Sequence, residues 1–191
     1  MISCSVRRRG TLLLLFTIAL ILFVPSKLSL VVQDKTGTYV SILPVESASY
    51  FEVSFRHSVN KGMIIERYEI NLENKTFYLK TGWFQSYGAG MMDSVAEGVQ
   101  MTEEGDFLRL DFPKNELHQV SYAAAGIANH KLSIGNNEVF LFQKNPYKTS
   151  IISLKRTNLF QRICTSFLLE KILFLHTEKN KNKNKKGSEV C

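Results

Sequence analysis

From Leu28 onward the sequence alternates. Short runs rich in Val, Ile, Phe and Tyr switch between apolar and polar residues, and "DKTG", "VNKG", "EN", "FPKN" and "GNN" interrupt them. A period of two puts successive side chains on opposite faces of an extended strand, and Asn, Asp, Gly and Pro make the turns between strands. The pattern predicts strands over residues 28–33, 38–43, 50–58, 63–72, 75–83, 106–112, 117–123, 130–134, 139–143 and 149–155. It implies an all-β domain over residues 28–157, an antiparallel sandwich or small barrel of about eight to ten short strands. The acidic stretch around "TEEGD" reads as a solvated edge.

Within that pattern, residues 50–83 carry polar side chains where apolar ones belong. On the strand from Tyr50 the inward positions are Phe51, Val53, Phe55 and His57; on the strand from Met63 they are Ile64, Glu66, Tyr68, Ile70 and Leu72. A two-residue turn at Glu73-Asn74 sets Ile70 against Phe77, Tyr68 against Leu79 and Glu66 against Thr81. The next strand then presents Phe77, Leu79, Thr81 and Trp83 on one face. Matching the inward faces of the first hairpin puts His57 opposite Glu66 or opposite Ile64. A slip of one residue would turn Arg67 and Glu69 into the core, so it is disfavoured. The sheet face therefore ends in a polar group of His57, Glu66 and Thr81. A buried carboxylate needs a partner, and His57 is the expected one. Tyr68 and Ser58 lie nearby in sequence.

The segment after Trp83 reads "FQSYGAGMMD". Glycine lets the main chain approach another group closely, and successive amides in such a loop offer donors to an anion. Ser86, Gly88, Ala89, Gly90 and Met91 are thus candidates for covering the polar end of the sheet. They join His57, Ser58, Glu66, Tyr68 and Thr81 as candidate ligand- or partner-binding residues.

The net charge of +7 sits at the ends. Arg7, Arg8 and Arg9 open the chain, and residues 178–191 hold five Lys and two Glu; residues 10–177 carry 16 basic and 15 acidic side chains. A balanced body does not suit a nucleic-acid partner. The arginines precede an uncharged apolar run from Thr11 to Val24, closed by Pro25. Residues 1–27 read as a signal peptide or membrane anchor helix, short for a full span, with the body on the extracytoplasmic side of the cell membrane. Residues 158–177 suit an amphipathic helix able to lie on a membrane, and 178–191 a solvated Lys/Asn-rich tail.

No chemistry stands out. Cysteines occur at 4, 164 and 191, so residues 5–163 hold no disulfide framework and no thiolate metal site. His57, His118, His130 and His176 lack close ligand spacing, and no phosphate or dinucleotide motif is present. No cofactor and no metal are expected. His57, Ser58 and Glu66 contain the residue types of a hydrolase triad, but neighbours on a strand face opposite sides, so Ser58 points away from His57. The expected role is binding, not catalysis, with a hydrolase built on His57 and Glu66 as the last choice.

"FRHSVNKGMIIERYEI" followed by "FQSYGAGMM" resembles the bacterial family called domain of unknown function 1850, through His57-Ser58-Val59, Glu66, Tyr68, Phe84, Ser86 and Gly88-Ala89-Gly90-Met91. The likeness extends over residues 45–157. It implies a small exported or membrane-tethered protein, companion to tripartite ATP-independent periplasmic (TRAP) transporters of the TAXI type. The expected partner is then a transporter membrane or solute-binding subunit. The alternative is a free-standing extracytoplasmic binder of a small carboxylate.

Overall fold

The computed structural model describes residues 4–25, 27–46, 48–85, 96–123 and 126–166. The chain divides into two units, Ser29–Lys155 and the pair Met1–Leu28 with Arg156–Cys191.

In the first unit the alternating runs become strands: β1 (Lys27–Gln33), β2 (Tyr39–Pro44), β3 (Tyr50–Arg56), β4 (Met63–Asn71), β5 (Thr76–Gln85), β6 (Gln100–Glu104), β7 (Phe107–Asp111), β8 (Gln119–Ala123), β9 (Lys131–Ile134), β10 (Asn137–Phe140) and β11 (Thr149–Thr157). They form two antiparallel sheets, ordered β2-β1-β11-β8 and β10-β9-β3-β4-β5-β7-β6. The sheets do not close on each other, so the barrel alternative falls and the all-β antiparallel class stands. Phe51, Val53, Phe77, Leu132, Ile134 and Ile152 fill the core.

Two segments depart from the predicted strands. Residues 100–104 form an edge strand, exposed at every position, where alternation was too polar to announce one. Charge on an edge keeps it from pairing with other chains. The run 139–143 ends as strand at Phe140 and continues as the single helical turn α2 (Leu141–Lys144). Leu141 is fully buried there, so a short apolar run served a helical turn equally well.

The β4–β5 register follows the expected pairs Ile70–Phe77 and Tyr68–Leu79, then shifts. Leu72 and Lys75 do not pair; both belong to a four-residue turn in which Lys75 has φ +56°. Beyond Tyr68 a bulge leaves Lys80 without a partner on β4, so Arg67 faces Thr81 and Glu66 faces Gly82. One extra residue reverses side-chain parity. Thr81 and Trp83 therefore share the outer sheet face with Arg67 and Ile65, not the inner face with Phe77.

The second unit begins with a helix, α1 (Cys4–Phe23), apolar on every side from Thr11. Among the described residues no helix is long and apolar enough to cross a membrane. Residues 159–166 are helical, as expected for the start of the C-terminal helix; the rest of that helix and the tail lie outside the described residues.

Candidate functional site

β3 and β4 pair Val53 with Glu66 and Phe55 with Ile64, so inward faces match as the hydrophobic pattern demands. The predicted partner of Glu66 is nevertheless absent from its side. β3 ends at Arg56, and the His57 amide donates to the Gly62 carbonyl at 2.9 Å. The hairpin closes through a tighter loop than either proposed register, which leaves His57 four positions along β3 from Val53, the residue opposite Glu66. Its ring has a local task. Nδ1 accepts the amide hydrogens of Val59 and Asn60 at 3.3 and 3.4 Å, which ties down the turn. Gly62 lies in that turn because a Cβ there would sit 2.1 Å from the Gln85 carbonyl oxygen. Ser58 is exposed in the same turn, its carbonyl accepting from the Lys61 ammonium.

Glu66 finds its partners in two tyrosines. Tyr68, two residues on and on the same face, donates its hydroxyl to Glu66 Oε2 at 3.0 Å. Tyr122, on β8 of the other sheet, donates to the same oxygen, and the two hydroxyls lie 2.8 Å apart. The Tyr68 ring stacks on Phe51 at 4.9 Å, and both meet Phe77 edge-on. Phe55 and His130 flank Tyr122, with His130 stacked on Phe55 at 4.7 Å. The His130 Nδ1 is buried without a hydrogen-bond partner among the described residues.

The protonation state of Glu66 sets how many bonds this triangle can hold. Three oxygen–oxygen edges can each hold one hydrogen bond. Two tyrosines and an ionised carboxylate bring two protons, enough for both hydroxyls to donate to Oε2; a neutral Glu66 brings a third, and then one tyrosine donates to Oε2, the carboxyl O–H donates to the other, and that one donates to the first. Burial also disfavours the charged form and raises the Glu66 pKa, against the lowering pull of the two tyrosine bonds. Burial and the neighbouring carboxylate push both tyrosines up, so they stay protonated donors. His130 is pushed down by burial and stays neutral. Gly82 sits opposite Glu66, and a Cβ there would lie 2.7 Å from the Phe84 ring. The arrangement clips the two sheets together and leaves its carboxylate engaged.

The outer face of the larger sheet is built differently. Arg67 donates from Nε and contacts with Nη2 the Glu52 carboxylate at 2.8 and 2.7 Å. Its guanidinium lies 4.4 Å from the Tyr50 ring centre and 4.9 Å from that of Trp83. Trp83 donates its indole hydrogen to Glu104 on the edge strand at 3.0 Å, and Arg109 lies 5.9 Å from its ring. Thr81, displaced here by the bulge, donates to Asp111 at 2.7 Å. Burial alone would raise Asp111, but Thr81 and Arg109 hold it below the ordinary carboxylate range. Glu52, Ile65, Arg67, Trp83 and Phe107 line an open groove of about 170 Å³.

Of the candidate residues, the structure brings Glu66 and Tyr68 together, puts His57 and Ser58 in the adjoining turn, and moves Thr81 to the opposite face. Ser86, Gly88, Ala89, Gly90 and Met91 lie outside the described residues. Sequence reasoning missed Tyr122 and His130, which reach the site from distant strands, and the Tyr50–Arg67–Trp83 stack. Tyr50 was legible as an outward neighbour of Arg67, but Trp83 joins the stack only through the bulge in β5. Among the described residues no group of His, Cys, Asp and Glu could hold a metal ion.

Residues 51–141 match the family model described as Domain of unknown function (DUF1850). The match spans the β3–β4–β5 hairpins, the Glu66 triangle and the outer groove. No curated protein and no solved structure matches the chain.

Proposed function

We propose that a chain whose residues 51–141 carry this domain of unknown function is an extracytoplasmic, membrane-tethered binding module without catalysis, accessory to a solute transporter of the TAXI-type TRAP class. The observation that carries the binding reading is the outer face of the large sheet. Tyr50, Arg67 and Trp83 present aromatic and guanidinium surface to solvent around a groove. Trp, Tyr and Arg are the side chains that dominate protein interfaces, because each combines large apolar area with a fixed polar handle. The inner carboxylate speaks against a catalytic alternative, since Glu66 is bonded to two tyrosines and His57 to its own turn. The transporter assignment draws on the family resemblance, and the tether on three arginines ahead of the apolar run.

Recovery of the tagged chain from membranes tests the reading. The expected co-purifying protein is a transporter membrane or solute-binding subunit, retained by the wild type and lost from Trp83→Ala. Recovery of no transporter subunit overturns the accessory role. Equal recovery by Trp83→Ala moves the interface off the groove. Protease added to intact spheroplasts should digest the region after Leu28; full protection overturns the exported orientation.

A further inference from the structure

We propose that residues 4–28 and 156–166 form one docking unit that meets an anionic lipid surface at two places, the apolar wall of α1 and a ridge made by Phe160 and Ile163. The inference deepens the tethering part of the functional reading and rests on it.

The join between the two segments is specific. Asn158 caps the second helix: its Oδ1 accepts the Gln161 amide at 2.7 Å, and Gln161 Oε1 accepts the Asn158 amide at 3.0 Å. This is the reciprocal pairing that fixes a helix start. The same Asn158 donates from Nδ2 to the Phe23 carbonyl at 3.1 Å, on the last residue of α1. One side chain thus caps the start of one helix and the end of the other. Phe23 and Phe160 stack at 5.0 Å beside it.

The surface this unit presents is apolar and basic. On α1, Leu12, Leu13, Leu14, Leu15, Phe16 and Ile21 are each more than half exposed. On the second helix, Phe160 and Ile163 are exposed by 44% and 40%. They stand three residues apart and so share a side of the helix. Among its described side chains the unit holds Lys27, Arg156 and Arg162 and no acidic residue. An exposed apolar surface beside cations complements the hydrocarbon edge and headgroups of an anionic bilayer.

Length explains the need for two contacts. The apolar part of α1, from Thr11 to Phe23, rises about 20 Å, against a hydrocarbon core of about 30 Å. A single short apolar element holds a protein to a membrane reversibly, and firm attachment takes a second. The Phe160–Ile163 ridge supplies it from the far end of the chain.

The test uses the purified full-length protein and vesicles of phosphatidylcholine with or without phosphatidylglycerol. The wild type should float with the anionic vesicles. Replacing Ile163 by Trp and subtracting the Trp83 signal should give emission that shifts to the blue on vesicle addition and is quenched by brominated lipid. The double variant Phe160→Ser with Ile163→Ser should bind about tenfold more weakly, while circular dichroism of the β domain stays unchanged. Asn158→Ala removes no apolar group, yet it should also weaken binding and reduce the quenching. Flotation with no shift or quenching at position 163 overturns the two-point contact while leaving the α1 tether intact. Absence of both flotation and retention on native membranes overturns the tether and the inference together. Retention on native membranes but not on protein-free vesicles assigns the ridge to a membrane protein and overturns the lipid assignment.

Discussion

Glu66 and Arg67 are neighbours on β4 and live in opposite physical worlds. Glu66 faces the core, where burial raises its pKa and two tyrosines from different sheets enclose it. Arg67 faces solvent, where it pairs with Glu52 and rests between Tyr50 and Trp83. One side of the sheet handles a polar group by burying and enclosing it; the other displays one on an aromatic platform. An enclosed group contributes mostly to the fold, because leaving its partners unpaired in a buried place is costly. A displayed group contributes little to the fold and remains free to meet a partner.

The largest effect expected from breaking this contrast is at Glu66. Glu66→Ala leaves the two tyrosine hydroxyls with only each other and opens space against Gly82. Denaturant unfolding should show a loss of about 2 kcal/mol. Tyr122→Phe removes the inter-sheet arm of the triangle while keeping the ring against Phe55 and His130, and about 1–1.5 kcal/mol should go.

The pH dependence sharpens the point. The folded pKa of Glu66 lies above its unfolded value, so the folded state holds the extra proton between the two. The contribution from Glu66 is fully present below the unfolded carboxylate value and is lost as pH rises through the folded one. Unfolding measured across that window should show wild type losing stability relative to Glu66→Gln as pH rises. A constant difference between the two proteins would mean that Glu66 is ionised throughout and that the triangle lacks its third proton.

On the outer face, Arg67→Ala should cost no more than about 1 kcal/mol, and less at high salt, since the pair is exposed and screened. A loss as large as that of Glu66→Ala would erase the distinction between the two faces. The smallest effect is expected at His57, whose long Nδ1 bonds hold only an exposed turn. His57→Ala should change stability by about 0.5 kcal/mol or less.

The sequence by itself determined most of the strands, the faces of β3 and β4 and the presence of a carboxylate among the inward residues. Alternation is a local property: the period-two pattern of Phe51, Val53 and Phe55 against Ile64, Glu66 and Tyr68 allows only registers that match odd with even positions. It also determined the apolar helix and the polar edge near "TEEGD", because each is written in consecutive residues. Tertiary structure alone decided who answers the carboxylate. The pairing of His57 with Gly62 came from the tightness of one loop, and the transfer of Thr81 to the outer face came from one extra residue at Lys80. Neither leaves a mark in hydrophobic periodicity. Tyr122 stands 56 residues from Glu66 and meets it only because β8 lies in the other sheet. Local pattern sets which way a side chain points; what it touches depends on packing between segments far apart in the chain.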